Sequence, residues 1–312
     1  RGLHNLRPRH HGCVATIGNF DGVHRGHQAV FAALRARAQQ FGLPVTVVIF
    51  EPQPLEVFRP EQAPARLTRL REKLQALRAQ DIDRVLLLEF NRRLAEMPAE
   101  TFVADVLVSH LGVRHLYVGD DFRFGRGRGG DFTLLQQAGA TQGFGVENLD
   151  TVAHAEDRIS STGIRAALAA GDLAKAAACL GRPYRICGRV GHGDKRGRTI
   201  GFPTLNVDLH RRVSPLRGVY AVRVHGLADA PLPAVANIGT RPTVAGDTRY
   251  LLEVHVFDFN RSCYGEHIEV EFVHHLRDER KFESFEHLRR QIWVDAAAAR
   301  DCLGAPPAAD SA

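Results

Sequence analysis

The chain has 312 residues, 44% of them apolar and 24% charged, with a formal net charge of +6. At about 150 residues per domain this length predicts two domains, each large enough to bury a core with no disulfide or metal staple. The composition excludes disordered, collagen-like and coiled-coil chains, and no apolar run approaches the ~18 residues of a membrane helix.

The chain opens Arg1-Gly2-Leu3-His4 without an initiator methionine or a signal-peptide apolar region, so a few residues are expected to be missing or trimmed. The first half alternates short β-branched runs with amphipathic stretches. Strands are expected at Val14–Ile17, Val45–Phe50, Arg84–Leu88, His115–Val118 and Val146–Leu149. Helices are expected at Gly26–Phe41, where Val30, Leu34, Ala38 and Phe41 recur at helical spacing before Gly42, and at Leu67–Gln80 and Ala99–Leu111. That alternation predicts a parallel sheet with right-handed crossovers, and ligands at the C-terminal ends of its strands.

Gly163–Leu180 is alanine-rich and reads as helical; the texture changes at Gly181-Arg182-Pro183. Beyond it come short runs bounded by Gly and Pro: Arg185–Val190, Gly218–Val224, Ala234–Ile238, Tyr250–Phe257 and His267–Phe272. The alternation in His267-Ile268-Glu269-Val270-Glu271 is that of antiparallel strands with one wet face, hence a small barrel or sandwich. A helix over Phe285–Cys302 closes the unit, and residues 304–312 read as a loose tail. The expected domains are therefore 1–181 and 182–303. Cys13, Cys179, Cys187, Cys263 and Cys302 are odd in number and form no C-x-x-C pair, which suits a reducing cytoplasm.

The sharpest local signal is Ile17-Gly18-Asn19-Phe20-Asp21-Gly22-Val23-His24-Arg25-Gly26-His27. A strand enters a glycine-punctuated turn and then a helix, whose first N–H groups and partial positive charge make a natural phosphate seat. His24 and His27 stand three apart, on one side of the first turn. The residues alone leave three readings open: phosphate binding, helix capping and a metal pair. A second element, Ile159-Ser160-Ser161-Thr162-Gly163-Ile164-Arg165, is by itself a capping sequence. A third, Gly191-His192-Gly193-Asp194-Lys195-Arg196-Gly197-Arg198-Thr199-Ile200-Gly201-Phe202-Pro203-Thr204-Leu205-Asn206, joins a basic glycine loop to a stiff stretch. If 203–206 is extended, Thr204 and Asn206 face one side, and their neutral oxygens suit Mg²⁺ on two phosphates. A turn-rich hairpin with solvated basic residues is the alternative.

The first segment resembles the G-x-F-D-G-x-H-x-G-H motif of nucleotidylyltransferases, and the second resembles their I-S-S-T-x-I-R motif. The third resembles the G-F-P-T-A-N signature of riboflavin kinases, with Leu205 in place of Ala. Three further stretches resemble the same kinases: Asn237-Ile238-Gly239-Thr240-Arg241-Pro242-Thr243, Leu252-Glu253-Val254 and Leu276-Arg277-Asp278-Glu279-Arg280-Lys281-Phe282. In order along the chain, these motifs resemble the bacterial bifunctional riboflavin kinase/FAD synthetase family. Phe50-Glu51-Pro52-Gln53-Pro54 departs from its F-x-P-H-P pattern at Gln53, which cannot carry a charge.

The resemblance implies an α/β nucleotidylyltransferase domain of Rossmann-like type, followed by an antiparallel β-barrel kinase domain with a terminal helix. It implies phosphorylation of riboflavin to FMN and adenylylation of FMN to FAD, with ATP as co-substrate and Mg²⁺ as cofactor. His24, His27 and Arg165 would handle the triphosphate of the adenylyl step, and Glu253 would be the base of the kinase step. An exposed rim carboxylate is the alternative for Glu253. Gly18, Phe20, Asp21, Gly22, Gly26, Ser161 and Thr162 would line the first nucleotide site, with Asp121 and Phe122 on its FMN side. There the alternative is that Gly125–Gly130 is simply a mobile loop. Gly191, Gly197, Gly201 and Arg277 would line the kinase site, with Thr204 and Asn206 as metal ligands. The expected partners are riboflavin, FMN, FAD and ATP. The positive charge and Lys195-Arg196-Gly197-Arg198 motivate a rival nucleic-acid reading, but the sequence carries no recognition helix or aromatic RNA-binding signature. Neither nucleic acid nor a membrane is an expected partner.

Overall fold

The computed structural model of the protein describes residues 1–119, 121–148, 159–192, 202–242 and 248–306. It divides into two compact units, Arg1–Pro64 with Arg69–Ser160, and Ala65–Thr68 with Ser161–Ala312. In the first, strands β1 (Cys13–Ile17), β2 (Val45–Glu51), β3 (Arg84–Glu89), β4 (Val113–Val118) and β5 (Gly145–Asn148) form one sheet in the order β3-β2-β1-β4-β5. All its pairings are parallel. Every residue of β1 is buried, as a central parallel strand covered on both faces requires. One apolar cluster gathers Ala15, Val48, Leu107 and Leu116, and another gathers Val14, Phe31, Leu34 and Val47 against the helix Arg25–Phe41. Chain order reverses between β1 and β4. The crevice beyond the C-terminal ends of those two strands is therefore the ligand position of such a sheet.

In the second unit, β6 (Arg185–Gly191), β7 (Leu205–Asp208), β8 (Gly218–His225), β9 (Leu232–Pro242), β10 (Thr248–Val256) and β11 (His267–Arg277) close into a barrel. The order is β10-β7-β6-β11-β8-β9, with antiparallel pairing throughout. Period-two alternation sorts the side chains. Leu252, Val254, Ala236, Ile238, Tyr220 and Val222 fill the interior. Val219, Ala221 and Val235 point outward and pack under Ala296 and Ala299 of the helix Phe285–Leu303. Among the described residues, no helix is long and apolar enough to cross a membrane.

Ile164, Leu168, Ala176 and Leu180, which precede Gly181, are buried in the barrel's own cluster and belong to the second compact unit. Three expectations are corrected. The helical run 163–180 is two helices, Ser161–Ala169 and Leu173–Leu180, divided at Gly171 (φ 75°) and re-started by Asp172, whose carboxylate accepts from the Lys175 amide. The helix expected from Leu67 begins at Leu70, where Glu72 accepts from the Arg69 amide, and Leu67 is fully buried in the core of the second unit. Residues Phe102–His110 of the expected 99–111 helix wind as a π-helix. Of the expected tail, residues 307–312 lie outside the described residues.

Candidate active sites

β1 ends at Ile17, and the chain turns through Gly18–Gly22 into the helix Arg25–Phe41. The turn is tight. A Cβ at Gly18 would meet the Phe20 ring at 3.1 Å, and one at Gly26 would meet His24 Nδ1 at 3.2 Å. Gly22 has φ 88°, and the non-glycine residues Phe20 and Val23 are each held at φ 44°. Such strain in bulky and β-branched residues concentrates where a fold must aim particular groups. His24 is the N-cap, and its Nδ1 accepts from the His27 amide at 3.4 Å. The two rings stack with centroids 3.5 Å apart and planes 19° from parallel, and the Phe20 ring meets His27 edge-on at 5.1 Å.

The capping reading thus holds for His24. Burial, then the neighbouring His24, then Lys73 hold the His27 imidazole well below its ordinary pKa of 6.5. Its Nδ1 is inaccessible and without a hydrogen-bond partner among the described residues. His27 therefore stands as a neutral imidazole at neutral pH. Asp21 is buried on the same turn.

Across the switch point, β4 leads into Gly119, Asp121 and Phe122. The Phe122 amide donates to the Gly119 carbonyl at 3.0 Å, Asp121 is exposed and Phe122 half-buried. Phe124, by contrast, is core: it is buried, stacks on Phe122 at 5.5 Å and bridges to Gly130. A Cβ at Gly125 would strike Ala99 at 2.6 Å, and one at Gly130 would strike Phe124 at 2.6 Å, so the ends of this loop are packed in place. Gln53 is 7% exposed and caps the helix Pro54–Phe58; its amide N–H donates to Glu56 at 2.8 Å and its side-chain Nε2 is buried without a partner among the described residues. Ser161, Thr162 and Arg165 begin the second unit, where Arg165 Nε donates to the Ala65 carbonyl at 2.6 Å.

The second unit carries its site on the outer face of the barrel. Glu253 of β10 lies directly opposite Asn206 of β7 on one side and Asn237 of β9 on the other. Directly opposed residues share a face with Cβ atoms about 4.5–5.5 Å apart, so the three form a polar row across three strands. Leu252 and Val254, one step away on either side of Glu253, fall into the interior. Thr204 stands two residues before Asn206, whose Nδ2 approaches the Thr204 carbonyl at 3.4 Å. Leu205 packs toward the interior cluster, so its difference from the kinase signature is remote from the polar row. Gly191, at the end of β6, pairs with Asn206.

Beside the row lies a cavity of about 510 Å³, lined by Phe202, Thr204, Asn237, Glu253, Arg277 and Glu279 among others. Arg277 lines it with its guanidinium engaged: Nε and a terminal nitrogen bond to the buried Asp295 carboxylate at 2.9 and 2.7 Å. Glu279 was not singled out by the sequence. Burial pushes its carboxyl up, against the opposing pull of Arg217 and Arg277. It lies over Gly239, where a Cβ would come within 2.2 Å of Oε1. Asn237 could have been found, since it shares the outward parity of Val235; for Glu279, beyond the alternating strand, no periodic signal existed. The strand expected at Ala234–Ile238 is β9, which carries Asn237 and runs on to Pro242. Gly197 and Gly201 lie outside the described residues.

Among the described residues no group of three His, Cys, Asp or Glu side chains could hold a metal. At the barrel site the donors are the Thr204 hydroxyl and the Asn206 amide oxygen, with the Glu253 carboxylate in the same row. The donor set fits a hard, hydrated ion such as Mg²⁺.

Comparison with known proteins places residues 6–163 in the family model described as FAD synthetase, and residues 180–303 in the one described as riboflavin kinase. The chain is 54% identical over 305 residues to a bifunctional riboflavin kinase/FMN adenylyltransferase of Escherichia coli K12, covering 97% of each chain. It is 56% identical over 308 residues to a protein of the same name from Pseudomonas fluorescens, covering 99% of this chain and 98% of that one. A crystal structure described as a macrolide-efflux protein from Streptococcus pneumoniae superposes with a TM-score of 0.76 at 31% identity, covering 94% of this chain and 95% of that one.

Proposed function

This chain belongs to the bifunctional riboflavin kinase/FMN adenylyltransferase family, and from that premise we propose how its two sites divide the work. The chain phosphorylates riboflavin with ATP to give FMN and ADP, and adenylylates FMN with ATP to give FAD and pyrophosphate.

The kinase step belongs to the barrel. Its nucleophile is a ribityl alcohol, which attacks poorly until its proton is removed. Glu253 is the base that takes it as the oxygen bonds to the γ-phosphorus and ADP departs. Asn237 and Asn206 flank the carboxylate on the two adjoining strands, and the cavity beside them takes the flavin end of the substrate. Thr204 and Asn206 would hold Mg²⁺, which when bound neutralises charge on the β- and γ-phosphates. The polar row Asn206–Glu253–Asn237 is the observation that carries this assignment.

The adenylyl step belongs to the β1 turn. FMN's phosphate is already an anion near neutral pH, so no base is needed. The site must align two anions and offset their repulsion while the phosphate oxygen bonds to the α-phosphorus and pyrophosphate leaves. The neutral His27 imidazole does this as a hydrogen-bond donor, reinforced by the N–H groups of the helix start. Arg165, with Ser161 and Thr162, is assigned to ATP on its motif.

Separability tests the division. Glu253→Gln is expected to stop FMN formation from riboflavin while FAD still forms from supplied FMN. His27→Ala is expected to do the reverse. Loss of both activities in either folded variant contradicts it.

A further inference from the structure

Strand β7 pairs with β10 from Asp208 opposite Leu251 to Leu205 opposite Val254, and there the ladder stops. The sequence supplies the reason. Thr204 and Pro203 come next in that direction, and a proline has no N–H to give to a ladder. One register step beyond the last pair stands His255, opposite the position of Thr204. Its side chain takes over from the backbone, with Nδ1 lying 2.9 Å from the Pro203 carbonyl oxygen. A carbonyl only accepts, so Nδ1 carries the proton and donates it.

His255 follows Glu253 by two residues and so shares its outward face. Its neighbour on β9 is Val235, which also points outward, under the helix Phe285–Leu303. His255 and Glu253 both line the cavity of about 510 Å³. Aromatic rings hold the imidazole: Phe202 meets it edge-on at 4.8 Å and Phe257 at 5.7 Å. The Phe202 ring meets Trp293 of the terminal helix in turn, at 4.6 Å. Thr204 lies at the joint of two hollows, this cavity and a neighbouring one of about 410 Å³. Asn206 is held opposite Glu253 by the ladder itself, whereas Thr204 is carried past its end.

We propose that His255 is a positioning residue of the riboflavin kinase site: its hydrogen bond to the Pro203 carbonyl latches the Pro203-Thr204 segment to β10 and so holds the Thr204 hydroxyl in register with Glu253. The inference rests on the assignment of the outer-face polar row to the kinase step. The latch forms no bond to substrate and moves no proton. It fixes the spacing between the hydroxyl that would hold Mg²⁺ and the base on the neighbouring strand. That spacing governs how an alcohol poised on Glu253 meets the γ-phosphorus. Groups that orient a metal-binding side chain typically govern metal affinity or activity by about 10–100-fold, so the latch acts on the metal requirement of the reaction.

The test compares two amides in place of the imidazole, in the full chain. In His255→Asn the side-chain nitrogen can stand where Nδ1 stood; in His255→Gln it reaches only to where Nε2 stood. FMN formation from riboflavin and ATP is measured as free Mg²⁺ is varied, and FAD formation from supplied FMN at saturating Mg²⁺ reports that the chain is intact. His255→Gln is expected to need about tenfold more Mg²⁺ for half its maximal rate, with the KM for riboflavin unchanged. His255→Asn is expected to stay near the wild type. A side-chain ¹⁵N–¹H spectrum of the wild type at about pH 8.5, where histidine is neutral, reads the latch without turnover. With the His255 resonances identified by their loss in either variant, it is expected to show Nδ1 protonated and Nε2 bare. A bare Nδ1 overturns the proposal, and so do folded Asn and Gln variants with equal Mg²⁺ requirements. If instead Glu253→Gln makes FMN at the wild-type rate, it is the assignment of the row that falls.

Discussion

The two units solve the same problem, holding a triphosphate, by opposite uses of burial. The first drives its site inward. His24 is buried, and His27 is pressed between His24 and Phe20. The second pushes its site outward. Strand alternation sends Leu252 and Val254 into the barrel and leaves Asn206, Glu253 and Asn237 on the outer face beside a cavity. The contrast follows the chemistry. A step that needs a base keeps its carboxylate where substrate can reach it, whereas a step whose nucleophile is already ionised can use an imidazole, that of His27, held neutral first of all by burial.

The most damaging way to break this contrast is to remove the carboxylate. Glu253→Gln is expected to slow FMN formation by roughly 10²–10⁴-fold, the usual contribution of a general base, and to leave FAD formation from FMN unchanged. His27→Ala is expected to slow FAD formation by about 10²–10³-fold, as loss of one transition-state donor does, with kinase turnover unchanged. Both are read by quantifying FMN and FAD separately.

Smaller effects sharpen the picture of each site. Gly239→Ala puts a Cβ where Glu279 Oε1 now lies, 2.2 Å away, so the carboxylate must swing into the cavity. The expected result is a roughly tenfold higher KM for riboflavin with adenylylation untouched. Asp295→Asn weakens a bidentate pair with Arg277 and is expected to cost the barrel about 1–3 kcal/mol, measured by denaturant unfolding.

The smallest effect concerns acid. The folded-state pKa of His27 lies below its ordinary 6.5, first through burial, then through His24 and Lys73. Below about pH 6.5 the unfolded chain therefore binds the extra proton, so this group's contribution to stability is complete above that pH and is lost as pH falls. The thermal midpoint of the first unit is expected to drop between pH 7.5 and 5.5, and to drop less in His27→Gln.

Much of this was legible in the residues. All five parallel strands and the helix Arg25–Phe41 end within about two residues of their expected limits, the usual uncertainty at element boundaries. The hydrophobic period there is undisturbed. Strand β7 has only four residues and was readable only as a conditional, because Pro203 and the glycines before it look like turn sequence. The break at Gly171 hid inside an alanine-rich run whose apolar residues suit one helix as well as two. The histidine pair announced itself by spacing. Asn237 and Glu279 reach the cavity beside Glu253 through strand register and a chain turn, which no local pattern encodes.

The independence of the two sites is most directly tested by mixing. Glu253→Gln alone is expected to make nothing from riboflavin and ATP, and His27→Ala alone to stop at FMN. Combined in one tube, they are expected to yield FAD, the second protein supplying the FMN that the first adenylylates. A mixture of the two folded proteins that forms no FAD would contradict the division of labour.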